Sequence, residues 1–257
     1  MEHFALVTGA SSGIGYAYAR EVASRGYNVL MVSNEAEAIV EKAKIIETDF
    51  PEVKVVPLMR DLSKQEAAKE LYDWCKENAI EVEMLINNAG VYHDKDFLDD
   101  SAGFTQLIFN LHMHTPAMMV YYFAKDMAER KKGYVINMSS VTSNYGIQRM
   151  STYSTTKGFL RLFSRSLYIE LKDKGVNVTC VRPGAVATPL YNLDEKAMKS
   201  GLAVGAIITP EALARKGVNA VLKGKHEITP GLFTKILNLV PCLPTWLLVY
   251  VRKWGWF

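Results

Sequence analysis

Cysteine is scarce in this chain. Its 257 residues hold three, Cys75, Cys180 and Cys242, far apart and odd in number. That argues against a disulfide framework or a metal site and suits a reducing, cytoplasmic compartment. An excess of charge is lacking too: 30 Lys and Arg stand against 27 Asp and Glu, both signs spread along the chain. Nothing in that balance points to nucleic acid. Low-complexity and repeated segments are absent. No basic stretch followed by an apolar stretch opens the N-terminus, so no secretory leader is expected. His112 and His114 flank a methionine, but positions i and i+2 of a helix do not face together, so they read as packing or surface residues and not as metal ligands. What the chain does have is 49% apolar residues. That suffices for a full core, and α/β chains of this length are routinely one domain.

Strands and helices alternate along it. Apolar runs predict strands at 4–7, 28–32, 54–57, 83–86, 134–138, 177–182 and 227–228. Helical periodicity predicts helices at 14–25, 36–48, 64–78, 103–131, 151–172 and 210–223. Near-continuous apolar strands are expected when helices cover both faces of a parallel sheet. The alternation predicts a doubly wound, Rossmann-type α/β fold with ligands at the carboxyl ends of the strands. The first strand runs into TGASSGIG, where Gly9, Gly13 and Gly15 precede a helix. A strand, a glycine-rich turn and a helix N-terminus form a phosphate-binding element, with free N–H groups and positive dipole potential aimed at a pyrophosphate.

Tyr153 and Lys157 lie four residues apart in YSTTK, within a predicted helix. At that spacing they share a face. A phenol normally titrates near ~10, and a neighbouring cation favours its ionised form. Such a tyrosine can exchange a proton with a ketone or an alcohol. The pair alone is a weak pattern, since most tyrosines and lysines at helical spacing do no chemistry.

TGASSGIG, the NNAG segment 87–90, Ser140, YSTTK and RPGAVATP together resemble the short-chain dehydrogenase/reductase family, over about residues 4–231. The resemblance implies catalytic roles for Tyr153 as general acid or base, Lys157 as the cation that tunes it, Ser140 as the hydrogen-bond partner of the substrate oxygen, and Asn110 as the holder of a water beside the lysine. It implies a nicotinamide cofactor on Gly9, Ser11, Ser12, Gly13, Ile14 and Gly15 at the pyrophosphate. Asp61 and Leu62 would lie near the adenine, although Asp61 also suits a helix cap. Asn87, Asn88, Ala89 and Gly90 would run along the ribose and order the central sheet. Pro183, Gly184, Val186 and Thr188 would meet the nicotinamide, along with Tyr153 and Lys157. Ser33 and Asn34 end the second strand with neither a carboxylate to select NAD(H) nor an arginine to bind a 2′-phosphate. The balance favours NADP(H) over NAD(H), with Glu35 close by.

In the family, the segment after the PG motif governs specificity. Here 190–208 mixes a charged part with an apolar part, suiting a lid over a hydrophobic substrate. Members acting on steroids or long-chain 3-oxo lipids carry tails like 232–257, which is interrupted at Pro241 and Pro244. The stretch after Pro244 falls short of the ~20 residues of a spanning helix. It reads as a pocket wall, a subunit interface or a peripheral membrane contact. A homodimer or homotetramer through the long helices is the implied assembly. The implied activity is oxidation or reduction of a secondary alcohol/ketone pair; a cofactor-binding scaffold without turnover and a 3-oxoacyl-thioester reductase stay as alternatives.

Overall fold

The computed structural model describes residues 3–188 and 195–237. In chain order its elements begin with β1 (His3–Thr8), α1 (Gly13–Ala23), β2 (Asn28–Ser33), α2 (Ala36–Asp49), β3 (Val55–Met59), α3 (Ala67–Glu77) and β4 (Glu81–Asn87). Then come α4 (Ala102–Phe109), α5 (Thr115–Glu129), β5 (Gly133–Met138), α6 (Ser151–Leu171) and β6 (Val176–Val181). The chain continues through β7 (Ala185–Val186), α7 (Glu195–Ala203), β8 (Ile207–Ile208), α8 (Pro210–Leu222), β9 (Glu227–Ile228) and α9 (Leu232–Leu237).

Seven strands form one sheet in the order β3-β2-β1-β4-β5-β6-β9, and every pairing is parallel. The alternation of side chains along each strand splits the core in two. Ala5, Val7, Met31 and Ile86 face a layer built from α1, α2 and α8. Phe4, Leu6, Leu30 and Leu85 face the layer of α3 and α5. The fold is thus the expected doubly wound single domain. Strand order reverses direction between β1 and β4, so the loops after these strands diverge and open a crevice at their carboxyl ends.

One expectation needs correction. The predicted helix over 103–131 is two helices, α4 and α5, joined by a wide π-helical turn at Asn110–His114. Pro116 sits in the first turn of α5, and a proline offers no N–H to the preceding turn and crowds the carbonyl four residues back. The chain answers by opening one residue: the Thr115 N–H bonds back to the Asn110 carbonyl, five positions away. Such wide turns often sit at functional sites. The pair β7 and β8, also absent from the sequence reading, forms a separate two-stranded ribbon. Of the anticipated lid, α7 and β8 are seen, while 189–194 lie outside the described residues. So does 238–257, and with it most of the apolar tail. Among the described residues, no helix is long and apolar enough to cross a membrane.

Candidate active site

A cleft of about 430 Å³ opens at the carboxyl ends of the strands. The glycine turn after β1 floors one end. Gly9 has φ +65, and a Cβ there would come within 3.0 Å of Ala89 Cα and Asn88 Nδ2. Only glycine suits both the backbone angle and this approach. Asn88 locks the two loops together: its N–H donates to Thr8 Oγ1 at 2.9 Å, and its Nδ2 donates to the Thr8 carbonyl at 2.9 Å. Ser11, Ser12, Gly13, Ile14 and Gly15 line the same end. Ser33 is spent internally, donating to Ser11 Oγ at 2.9 Å and accepting the Glu35 N–H at 3.2 Å.

Ser33, Asn34, Asp61, Leu62, Asn88, Ala89 and Gly90 line the cleft, as do Pro183, Val186 and Thr188. Asp61 also closes its own turn. Its Oδ1 accepts the Ser63 N–H at 3.0 Å and the Ser63 hydroxyl at 2.6 Å, and these bonds hold its carboxyl below the usual range. Asn87 points elsewhere. It donates to Asn137 Oδ1 at 2.9 Å, and Asn137 donates to Ser164 at 2.9 Å, so it ties β4 and β5 to α6. Gly184 packs against Thr234 and does not line the cleft.

Tyr153 and Lys157 are brought together on α6, both buried at the cleft wall. The Lys157 Nζ lies 5.7 Å from the phenol ring centroid and donates to the Met138 carbonyl at 2.9 Å. Burial pulls its ammonium down from 10.5 to about 8. Tyr92 packs edge-on against the Tyr153 ring at 5.2 Å. Ser140 lies two residues past β5 and accepts from the Thr142 N–H at 3.2 Å and the Thr142 hydroxyl at 3.0 Å. Its neighbour Ser139 turns the other way, donating to the Lys157 carbonyl at 2.7 Å. Ser139, and not Ser140, contributes to the cleft lining.

Asn110 is not beside the lysine, contrary to expectation. Its Nδ2 donates to the Ser63 carbonyl at 2.8 Å, its Oδ1 accepts from Gln106 at 2.9 Å, and it borders a separate apolar pocket with Met113, Met118 and Phe159. The residue that reaches the cleft from this turn is His112, expected from the sequence to be only a packing or surface residue. Its side chain is fully buried and its ring meets Tyr153 edge-on at 5.8 Å. The Val91 N–H donates to Nε2 at 3.0 Å, so the proton sits on Nδ1, which donates to Thr156 Oγ1 at 3.1 Å. Thr156 in turn donates to the Tyr153 carbonyl at 3.0 Å. Burial, and then the Lys157 charge, hold the imidazole well below its usual range, hence neutral. Gly90 admits the ring: a Cβ there would lie 2.7 Å from Nε2. The available sequence signal is Pro116, which interrupts the helix at this turn; Asn110 is implied by the family resemblance alone.

Two buried polar atoms in the cleft have no hydrogen-bond partner among the described residues, Thr188 Oγ1 and Arg60 Nε. Such atoms are rare, and a polar ligand spanning the cleft from the glycine turn to α6 would satisfy both. Among the described residues, no group of three His, Cys, Asp or Glu is placed to hold a metal ion.

A glycine-turn crevice joined to a buried tyrosine and lysine defines an oxidoreductase of the nicotinamide-dependent class. The family model described as short chain dehydrogenase matches residues 3–199. The chain is 28% identical over 265 residues to the hydroxysteroid dehydrogenase-like protein 1 of Gallus gallus, covering 99% of this chain and 74% of that one. It is 31% identical over 225 residues to the very-long-chain 3-oxoacyl-CoA reductase of Anas platyrhynchos, covering 85% and 68%. A short-chain dehydrogenase from Sphingobium yanoikuyae, solved with NADPH, superposes with a TM-score of 0.80 at 23% identity, over 99% of this chain and 94% of that one. The chain belongs to the short-chain dehydrogenase family and is an NAD(P)-dependent oxidoreductase.

Proposed function

We infer that this protein interconverts a ketone and a secondary alcohol on a hydrophobic substrate, a hydroxysteroid or a long-chain 3-oxo acyl group, with NADP(H) favoured over NAD(H). The observation that carries the reaction is the buried pair on α6, Lys157 Nζ 5.7 Å from the Tyr153 ring, at the end of the cleft opposite the glycine turn. When bound, the nicotinamide supplies the hydride. Ser11, Ser12, Gly13, Ile14 and Gly15 would hold the pyrophosphate. Asn88, Ala89 and Gly90 would line the ribose path, and the unpartnered Thr188 hydroxyl would meet the carboxamide.

Tyr153 gives its phenolic proton to the substrate oxygen on reduction and takes it back on oxidation. The Lys157 ammonium favours the phenolate that remains. Ser140, outside the cleft lining itself, accepts from Thr142 and keeps its own proton to donate to a substrate oxygen that reaches past the lining. His112 holds the Tyr153 main chain through Thr156. Val91, Leu107 and Leu111 make that part of the cleft apolar, which suits a lipid-like substrate and excludes water from the proton transfer. The names of the relatives support the same substrate classes. Tyr121 on α5, with Leu162 and Ile169 on α6, leaves large apolar side chains exposed. That supports a homo-oligomer through these helices.

The test is reduction of 3-oxoacyl thioesters and oxosteroids, followed by loss of reduced-nicotinamide absorbance. Tyr153→Phe should lower kcat by about 10³-fold or more, at the upper end of what a general acid contributes or beyond it, while cofactor affinity stays within twofold. Parent and variant turning over equally would refute the general-acid role of Tyr153, and a parent that binds NADPH but turns over neither substrate class would favour a cofactor-binding scaffold.

A further inference from the structure

Arg60 is a cation of the cleft that the reaction does not use. It directly follows β3, and its N–H donates to the Ser33 carbonyl at 2.8 Å. The parallel register pairs Ser33 with Met59, so the next step brings Arg60 beside Asn34 at the end of β2. Its Nε is buried without a hydrogen-bond partner among the described residues. Among the described residues its side chain makes no ion pair either. The nearest carboxylate in sequence, Asp61, is occupied by Ser63. Glu35 and Asn34 are exposed at the rim.

A guanidinium with a buried, unsatisfied donor is costly. It becomes favourable when an anion arrives, because charge-assisted hydrogen bonds to phosphate are strong and Arg suits phosphate geometry. Among the described residues, the other Lys or Arg lining the cleft is Lys157, beside Tyr153. In a dinucleotide-binding sheet, the end of the second strand is where the 2′ position of the adenosine ribose is read.

We propose that Arg60, reaching across from β3, is the residue that reads the 2′-phosphate of NADP(H) in this protein. It takes the place of the basic group that Ser33 and Asn34 do not provide. This rests on the dinucleotide reading given above. It makes cofactor choice a property of the neighbouring strand: β2 presents no carboxylate to repel the phosphate, and β3 supplies the charge that binds it.

Calorimetric titration of the cofactor-free protein with NADPH, NADH, 2′,5′-ADP and ADP tests this without turnover. The parent should bind NADPH and 2′,5′-ADP about tenfold or more tighter than their counterparts lacking the 2′-phosphate, as expected for a charge-assisted pair. Arg60→Gln should erase that difference and leave NADH within twofold, and Arg60→Lys should restore part of it. If Arg60→Gln fails to fold, the comparison of Arg60→Lys with the parent decides, with selective weakening of the 2′-phosphate ligands expected. Equal weakening of all four ligands, unchanged NADPH affinity or a parent that prefers NADH would overturn the assignment. Inorganic phosphate binding as tightly as 2′,5′-ADP would mark a free-anion site and overturn it too. A parent that binds neither dinucleotide would overturn both this proposal and the reading beneath it.

Discussion

Replacing Lys157 by methionine should stabilise the fold and destroy the chemistry. The lysine is buried, its Nζ on the Met138 carbonyl at 2.9 Å, and burial lowers its pKa from 10.5 to about 8. Below about 8 it is charged in both folded and unfolded chains, and the folded chain bears the cost of the buried charge. At about 1.4 kcal/mol per pH unit, that cost is on the order of 3 kcal/mol. Between about 8 and 10.5 the unfolded chain keeps a proton that the folded chain has released, so stability rises with pH across this window. Above it the penalty is gone. Methionine has a similar length and no charge, but it leaves the Met138 carbonyl without that donor, a loss of about 1 kcal/mol. The net gain near pH 7 is then about 2 kcal/mol, a rise in Tm of roughly 4–8 °C for a chain of this size. Thermal unfolding by circular dichroism, without cofactor, at several pH values from 7 to 10 measures it. Titrating groups remote from Lys157 cancel in the difference between parent and variant. That difference should shrink toward zero as the pH nears 10, while turnover is lost throughout. A variant less stable than the parent at pH 7, or a difference that ignores pH, refutes the reasoning.

Gly90→Ala should drive a methyl group onto His112 Nε2, 2.7 Å from the ideal Cβ. Displacing the ring breaks the Val91 N–H bond and costs about 1–3 kcal/mol, read as a lower urea midpoint, together with a fall in kcat. Ser33→Asp should move cofactor preference toward NADH by placing a carboxylate at the end of β2, where Arg60 bonds the Ser33 carbonyl. An unchanged ratio of NADPH to NADH affinities would mean that the end of β2 does not face the ribose.

The parts of the site legible in the sequence are those that contiguous backbone dictates. The glycine turn, NNAG and YSTTK each carry their geometry within a few residues, and the doubly wound sheet follows from apolar strands alternating with amphipathic helices. What escaped depends on helical phase or on neighbours distant in sequence. The wide turn ahead of Pro116 shifts the phase by one residue, which turns Asn110 away from the cleft and His112 into it. Arg60 is not legible in the sequence because its charge comes from the end of β3, one strand over from the β2 end, in a register that the sequence does not display. Ser140 over Ser139 is a choice that only the family resemblance makes; the structure turns the two hydroxyls to different partners, Thr142 and the Lys157 carbonyl, and it is Ser139 that lines the cleft.

The exchange of an expected amide for an imidazole is less drastic than the residue names suggest. The resemblance calls for a neutral side chain, both donor and acceptor, near the lysine. His112 meets that description because the Val91 N–H fixes its tautomer: Nε2 accepts, Nδ1 donates, and the ring carries no charge. Protonating Nε2 would set donor against donor at 3.0 Å and place a second cation near the buried Lys157 ammonium. Burial opposes that charge further. The ring therefore orients Thr156 and the Tyr153 main chain without adding charge beside the phenol, and Lys157 stays the one cation next to Tyr153 among the described residues. Gly90 is the condition for this arrangement, since any side chain there would occupy the position of the imidazole.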